Sequence, residues 1–428
     1  MSLSPPLLPE DTIRRLKNRD ASLITDPQNG QRAISIQLLS PPHSASSSSS
    51  RTASSSTTES DTLLIPVPTH LDSAPSFEFL GFTPERAKEM YDTRKAYNEK
   101  HDPVWISIIE WARCHLDDAC LDVAEDDWIS IMTQAGIKTD IQGRLMREEY
   151  AALRSTQGLY TWLYEIIETN YLVLEDLNAQ ILFSLDSTPC SLRGGQGEDY
   201  TVPQTPGGHI ALFKSVEFRR SAGCTAEDGS INLNQLVSKG PTDFSKIGGL
   251  YFTHQLWVAK RYSSYIGDMC PLADRRTVEI HVPLHHFQTV KMWDLKFEDD
   301  DYKQLLYYSR RVEKYPKHIT RKRAEYGVIK GPIAGVHNKV FNKIQNWEEI
   351  KGKHQLVEEY EEEDEDEIKK GDHEKKKKFG VQYVWLREDI IAKLEDDVHG
   401  KTYLRRPERG FRLIAQPWND QSVAHTSC

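Results

Sequence analysis

The sequence lacks several features that would assign it to a common class of protein. Its 428 residues contain six cysteines, and none of them forms a CxxC pair. The cysteines are spread thinly along the chain, so we expect reduced thiols and neither a zinc site nor a dense disulfide framework. No apolar run approaches the roughly 18 residues needed to span a bilayer, and the N-terminus lacks a signal-peptide pattern. We therefore expect a protein of the cytoplasm or nucleus that does not enter a membrane.

A surplus of basic residues is also missing. The chain has 54 lysines and arginines against 64 aspartates and glutamates, for a formal net charge of -10. A dedicated nucleic-acid-binding domain normally carries a basic surplus, so a nucleic-acid partner is not expected. Hydrophobic residues make up 38% of the chain, which is enough to bury at least one sizeable core. The length favours two structured units joined by connectors.

The N-terminal half divides into a polar leader and a helical region. Residues 44–60 are nearly all serine and threonine, which bury too little apolar surface to offset chain entropy, and we predict a disordered leader over residues 1–75. Thr83 followed by Pro84 predicts the start of a helix. Apolar residues then recur at helical spacing, which predicts a small all-helical module over residues 76–185. We expect its aromatic residues to form its core and its contact with the next domain; a private ligand pocket is the alternative.

The pattern changes to short strands after a polar, glycine- and proline-containing linker at residues 186–204. Five β-rich runs, separated by long connections, lie at residues 210–218, 248–253, 276–284, 326–335 and 380–386. This arrangement predicts an α+β domain over residues 205–400. An acidic block followed by a basic one at residues 357–378 predicts a solvated insertion, with a protein-contact or nuclear-targeting role as the alternative. Residues 401–428 are expected to form a C-terminal tail.

Three tyrosines lie close together where one predicted strand passes into a helix. The stretch "GGLYFTHQLWVAKRYSSYI" covers residues 248–266 and places Tyr251 in the strand and Tyr262 in the helix, with Thr253 as the predicted helix cap. If strand and helix border one cleft, the rings of Tyr251 and Tyr262 can hold a flat ring between them, such as nicotinamide or a nucleobase. The alternative is that both tyrosines are ordinary core or surface residues.

The longer stretch "DFSKIGGLYFTHQLWVAKRYSSY" resembles the strand-and-helix element of the ADP-ribosyltransferase superfamily. The resemblance is to the diphtheria-toxin-like branch, which includes the poly(ADP-ribose) polymerases, and within it to uncharacterised microbial ADP-ribosyltransferase-like domains. The later "GVIKGPIAG" is similar to an element of the same group. The resemblance implies a split β-sandwich with flanking helices, preceded here by the helical module. It further implies that Tyr251 and Tyr262 enclose the nicotinamide of NAD.

The resemblance also implies two further motifs, from which this chain departs. Lys214 stands where the family has a histidine that contacts the nicotinamide ribose, and Ser215 where it has a glycine; a lysine positions such a contact less rigidly. Gln382 stands at the position of the catalytic glutamate. An amide carries no full negative charge, and losing such a group commonly costs about 3 to 4 kcal/mol of transition-state stabilisation. Arg219 and Arg220 are candidates to reach the NAD phosphates, with a purely structural role as the alternative.

Two functions follow from the resemblance. One is a mono-ADP-ribosyltransferase that takes NAD as substrate and modifies an unknown acceptor, with Gln382 as the catalytic candidate and Lys214, Ser215, Tyr251 and Tyr262 as cofactor-binding candidates. The other is a catalytically inactive domain of the same fold that binds a nucleotide or a protein partner. The substitutions at positions 214 and 382 favour the inactive domain, and the retained pair of tyrosines favours the enzyme.

Overall fold

The chain folds into an α+β architecture, as predicted. The computed structural model describes residues 5–39, 64–101, 104–120, 127–186, 203–217, 220–221, 224, 231–336, 338–360 and 376–405. The α-helices in these ranges are α1 Glu10–Arg19, α2 Ala74–Leu80, α3 Pro84–Lys100, α4 Ile108–Cys120, α5 Trp128–Gln134, α6 Thr139–Leu145, α7 Ala151–Arg154, α8 Leu159–Asp186, α9 Leu256–Met269, α10 Leu284–Thr289, α11 Asp300–Arg310, α12 Lys317–Glu325, α13 Asn338–Lys343 and α14 Glu388–Asp397. The strands are β1 Gln31–Ser35, β2 Leu64–Pro68, β3 His209–Glu217, β4 Ser238–Lys239, β5 Gly248–Phe252, β6 Arg275–Pro283, β7 Met292–Asp294, β8 Val328–Pro332, β9 Val357–Tyr360, β10 Lys376–Phe379, β11 Val381–Trp385 and β12 Thr402–Arg405.

The predicted disordered leader is wrong for the parts of residues 1–75 that the structure describes. Ile13 and Leu16 of α1 are buried in one hydrophobic cluster with Ile34 of β1 and the second half of α8. Strands β1 and β2 pair antiparallel and contribute to the same cluster. The prediction relied on the serine and threonine content of residues 44–60, which lie outside the described residues. It gave too little weight to the apolar residues on either side of that tract, whose burial stabilises the local structure.

Helices α2 to α8 form the predicted helical module, which shares a hydrophobic core with the strand-rich region. Thr83 caps α3 as predicted, because its Oγ1 accepts a hydrogen bond from the Arg86 amide at 3.4 Å. The ring of Trp162 in α8 meets the ring of Tyr265 in α9 edge to face, with centroids 4.9 Å apart. The Tyr265 hydroxyl donates to the Leu145 carbonyl at 3.2 Å. Phe77, Phe82, Trp128 and Trp162 therefore lie in the shared core as expected, whereas Trp105 and Phe183 are largely exposed.

The five predicted strands all occur, as β3, β5, β6, β8 and β11, and they belong to two sheets. The larger sheet has the order β4-β5-β11-β8-β7, and the smaller has the order β12-β6-β3. All pairs are antiparallel except β7 with β8. One backbone bridge joins the sheets: the Phe213 amide donates to the Thr253 carbonyl at 2.6 Å, and the Thr253 amide donates back at 3.0 Å. A hydrophobic cluster with residues from both sheets and from α14 fills the space beside this junction.

Two predicted boundaries differ from the structure. The ends of the predicted insertion at residues 357–378 pair with each other as the antiparallel strands β9 and β10, while residues 361–375 between them lie outside the described ranges. The predicted tail at residues 401–428 begins as strand β12, which pairs with β6 because Leu404 packs against the core between the sheets. Most of the predicted linker at residues 186–204 is likewise not described.

Candidate functional site

The site begins where β5 passes into α9. Gly248 opens β5 with φ +108, and a β-carbon there would lie 2.0 Å from the Ser238 carbonyl oxygen, so only glycine permits β4 and β5 to pair this closely. The prediction that Thr253 caps α9 is wrong. Gln255 occupies the N-cap position, and its backbone amide donates to Thr253 Oγ1 at 3.0 Å. Thr253 remains in extended conformation because its backbone is bonded to Phe213 of the smaller sheet.

Tyr251 and Tyr262 are both partly buried, and each hydroxyl is bonded within the protein. The Tyr251 hydroxyl shares a hydrogen bond with the Thr242 hydroxyl in the turn before β5. The Tyr262 hydroxyl donates to Thr156 Oγ1 at 3.1 Å, and Thr156 precedes α8 in the helical module. Burial raises the pKa of both phenols, that of Tyr262 to about 12, so both remain protonated donors at neutral pH.

Both tyrosines lie beside a buried ion pair that the sequence analysis did not single out. Arg310 at the end of α11 donates through Nε to Asp243 Oδ1 at 2.8 Å, and both side chains are buried. The Ala334 amide donates to the other carboxylate oxygen at 2.9 Å, and Arg310 Nη2 donates to the Thr156 carbonyl at 2.9 Å. The charges of this pair act on the pKa of both tyrosines. Asp243 lies within the stretch that carries the resemblance, but nothing in the sequence shows that Arg310 is its partner.

Gln382 of β11 reaches the same ion pair. Its side chain is only 7% exposed, and its Nε2 donates to Asp243 Oδ2 at 2.5 Å and to the Pro332 carbonyl at 3.1 Å. A glutamate at this position has no hydrogen to donate unless it is protonated, and it would place a second carboxylate beside Asp243. The neighbouring aspartate therefore determines that an amide, not a carboxylate, fits at position 382.

Lys214 and Ser215 have different hydrogen-bond partners, since successive residues of β3 point to opposite faces of the sheet. Lys214 Nζ donates to Ser238 Oγ at 3.1 Å, whereas Ser215 Oγ accepts from Arg275 Nη2 at 3.3 Å. Burial, with the nearby charges of Arg220 and Arg275, lowers the pKa of Lys214 to about 7. The resemblance implies that the residues at these two positions line one cleft side by side. Lys214 and Ser215 instead have separate partners.

The structure distributes the predicted site residues over two buried polar clusters. The Asp243 cluster consists of Thr156, Thr242, Asp243, Tyr251, Tyr262, Arg310 and Gln382. The Arg275 cluster consists of Glu165, Lys214, Ser215, Arg220, Ser238 and Arg275. Three of the five predicted site residues meet in the first cluster and two in the second. Arg219 lies outside the described residues.

Comparison of the chain with protein-family models, with curated proteins and with solved structures finds no match. Membership of the ADP-ribosyltransferase superfamily therefore stays a prediction. In the part of the chain that the structure describes, no group of three histidine, cysteine or acidic side chains is placed to hold a metal ion. Among the described helices, none combines the length and the apolar character that crossing a membrane requires.

Proposed function

We propose that residues 205–400 form an ADP-ribosyltransferase-like split β-sandwich that has no transferase activity and serves as a binding module of the cytoplasm or nucleus. The two sheets joined at the Phe213–Thr253 bridge, the strand-to-helix element and the two tyrosines whose pKa values respond to one ion pair support this fold. The helical module is an integral part of the proposed unit, because it shares a hydrophobic core with α9.

The hydrogen bonding of Gln382 carries the proposal. In the enzymes that the sequence resembles, a carboxylate at this position stabilises the positive charge that develops on the ribose. Here the amide donates to Asp243 and to a backbone carbonyl, and the charge of Asp243 is balanced by Arg310. Neither side chain supplies a free negative charge to a substrate, so the electrostatic contribution of about 3 to 4 kcal/mol is lost.

The bonds of Tyr262 and Arg310 to Thr156 support a binding role over a catalytic one. They hold the strand-rich region against the start of α8, next to the apolar contact between Trp162 and Tyr265. Large apolar contacts of this kind restrict relative motion of two regions. A preformed, rigid site suits binding, since little conformational entropy is lost when a ligand arrives.

Incubation of the full-length protein with NAD labelled in its adenylate part tests the proposal. We expect neither label on protein nor released nicotinamide, measured beside an active ADP-ribosyltransferase as positive control. Turnover that disappears in Gln382→Ala and Tyr251→Ala but persists in Tyr97→Ala, a variant of a remote exposed tyrosine, would overturn the proposal and establish the enzyme.

The thermal midpoint in increasing NAD then distinguishes the kinds of ligand. A ligand at 100 times its dissociation constant stabilises the folded protein by about 2.7 kcal/mol. A shift that Tyr251→Ala abolishes, without turnover, identifies a nucleotide-binding module. No shift at millimolar NAD identifies a module for another ligand.

A further inference from the structure

Arg275 of β6 is a buried arginine with unused hydrogen-bond donors. Its side chain is 5% exposed, and Nη2 donates to Ser215 Oγ at 3.3 Å. Its Nε and Nη1 are buried and have no hydrogen-bond partner in the described ranges. The carboxylate oxygen of Glu165 lies 3.7 Å from Nη1, beyond hydrogen-bond distance. Since buried polar groups in folded proteins are nearly always bonded, these donors indicate an acceptor that the described chain does not provide.

A second guanidinium group, that of Arg220, lies close to Arg275. Glu165 Oε2 is 3.8 Å from Arg220 Nη1. The Glu165 carboxylate therefore lies between two guanidinium groups, and both of these distances are too long for a hydrogen bond. Burial lowers the pKa of Lys214, and the charges of both arginines lower it further. Its Nζ is 3.1 Å from Ser238 Oγ. The cluster therefore brings two guanidinium groups to the same carboxylate, while the amine of Lys214 is bonded to a serine hydroxyl nearby.

The carboxylates near the cluster are partly committed to other contacts. Glu217 accepts a hydrogen bond from the Arg220 backbone amide at 3.3 Å, and it is buried. Burial and the charge of Glu165 raise the pKa of Glu168, which favours its neutral form. Glu165 and Arg220 are 28% and 25% exposed, so the cluster reaches solvent at these two side chains.

We propose that the Arg275 cluster binds a phosphate group, either as inorganic phosphate or as part of a larger ligand. Arg275 Nε and Nη1 and the Arg220 guanidinium group would donate to its oxygens. A phosphate group offers more acceptor oxygens and more charge than a carboxylate, and arginine forks match its geometry. The Glu165 carboxylate of α8 competes with the phosphate for the two arginines, and the phosphate displaces it from them. The inference rests on the proposed binding role and names the chemistry of its ligand.

Calorimetric titration of the full-length protein with inorganic phosphate and with diphosphate tests the inference. Sodium acetate at equal ionic strength serves as the control for nonspecific anion effects. We expect saturable binding of phosphate or diphosphate that Arg220→Gln weakens about tenfold, the loss of one charge-assisted contact. Glu165→Gln is expected to strengthen binding, because it removes the competing carboxylate while leaving a side chain of similar size.

Two additional variants make the result specific. Arg275→Gln is expected to weaken binding at least as much as Arg220→Gln, but its burial makes a folding defect possible, so its circular dichroism and thermal midpoint are measured first. Arg321→Gln removes an exposed arginine on α12 and is expected to leave phosphate binding unchanged. Absence of saturable binding, or binding that Arg220→Gln and Glu165→Gln leave unchanged, overturns the inference.

The two proposals fail in different ways. Release of nicotinamide from NAD overturns the proposed loss of catalysis, whether or not phosphate binds. Absence of phosphate binding without any turnover overturns only the phosphate site. Competition experiments then separate the sources of the phosphate group: displacement of inorganic phosphate by NAD or ADP identifies a nucleotide, whereas displacement by diphosphate alone identifies a smaller ligand.

Discussion

The two buried polar clusters differ in how completely their charged groups are bonded. In the Asp243 cluster, both carboxylate oxygens accept hydrogen bonds, and Gln382 and Arg310 each donate to more than one acceptor. In the Arg275 cluster, two donors of a buried guanidinium group find no acceptor among the described residues. Burial alone therefore does not distinguish a structural polar group from one that binds a ligand. These two clusters differ in the donors left unbonded among the described residues, which belong to Arg275 of β6 and not to the tyrosine pair.

The largest effect that tests this comparison is expected for Asp243→Ala. The substitution leaves the buried charge of Arg310 without a carboxylate, and we expect the free energy of unfolding to fall by about 3 to 5 kcal/mol in urea denaturation. Asp92→Ala breaks the exposed pair with Lys88 and serves as control, with a much smaller expected loss because solvent screens this pair. Equal losses in the two variants would show that the Asp243 cluster is not a buried structural network.

Gln382→Glu tests whether Asp243 selects an amide at this position. We expect a loss of about 1 to 3 kcal/mol at pH 8, because a bonded donor is replaced by a second carboxylate. Asp243 raises the pKa of the new carboxyl, and a raised acid pKa destabilises the folded state above that pKa. The loss in the free energy of unfolding relative to wild type should therefore become smaller toward pH 5, where the protonated side chain of the introduced glutamate can donate a hydrogen bond again.

Gln382→Met is the matched control for this pH dependence. It removes the same hydrogen bonds from a side chain of similar length but introduces no titrating group. Its free energy of unfolding, measured by denaturation at pH 8 and at pH 5, should differ from that of wild type by the same amount at both pH values. A Gln382→Glu variant that behaves like Gln382→Met would contradict the role assigned to Asp243.

Lys214 links the Arg275 cluster to the pH dependence of stability. Its folded-state pKa of about 7 lies below the ordinary value of 10.5, so between these values the unfolded chain binds more protons than the folded one. Stability then rises with pH across this window, and the contribution of Lys214 is unfavourable below it. We expect Lys214→Met to lack part of the rise seen in wild type between pH 7 and 9, in phosphate-free buffer.

The comparison variant is Lys314→Met, at an exposed lysine. Its unfolding free energy should follow the wild-type pH profile across the same range. Parallel profiles for wild type and Lys214→Met would show that the amine of Lys214 is not held in a buried environment beside Arg220 and Arg275.

The smallest effect is expected for the tyrosine hydroxyls. Tyr251→Phe and Tyr262→Phe each remove one hydrogen bond of the Asp243 cluster, to Thr242 and to Thr156, at a cost of about 1 kcal/mol in the free energy of unfolding. Tyr97→Phe, at an exposed ring, should change stability little. Full stability of both variants would indicate that the hydroxyls are available to a ligand, which would restore weight to the enzyme hypothesis.

Much of the fold followed from local sequence patterns. The five strands have β-branched or aromatic residues in short runs, and the capping of α3 depends only on the adjacent Thr83 and Pro84. The leader was mispredicted because its apolar residues are separated by a long polar tract, and their burial depends on contact with α8. The cap of α9 was mispredicted because the Phe213 bridge, a contact distant in sequence, holds Thr253 extended.

The sequence by itself determined which residue types stand at the candidate positions: two tyrosines at the spacing of a strand-to-helix element, and lysine, serine and glutamine where the resemblance implies histidine, glycine and glutamate. The tertiary structure decided what those residues do. Asp243 and Arg310 meet across 67 positions of chain, and Glu165 reaches Arg275 from a separate helix. Hydrogen bonding and electrostatic balance depend on distances of a few ångströms, which only the packing of the helical module against both sheets establishes.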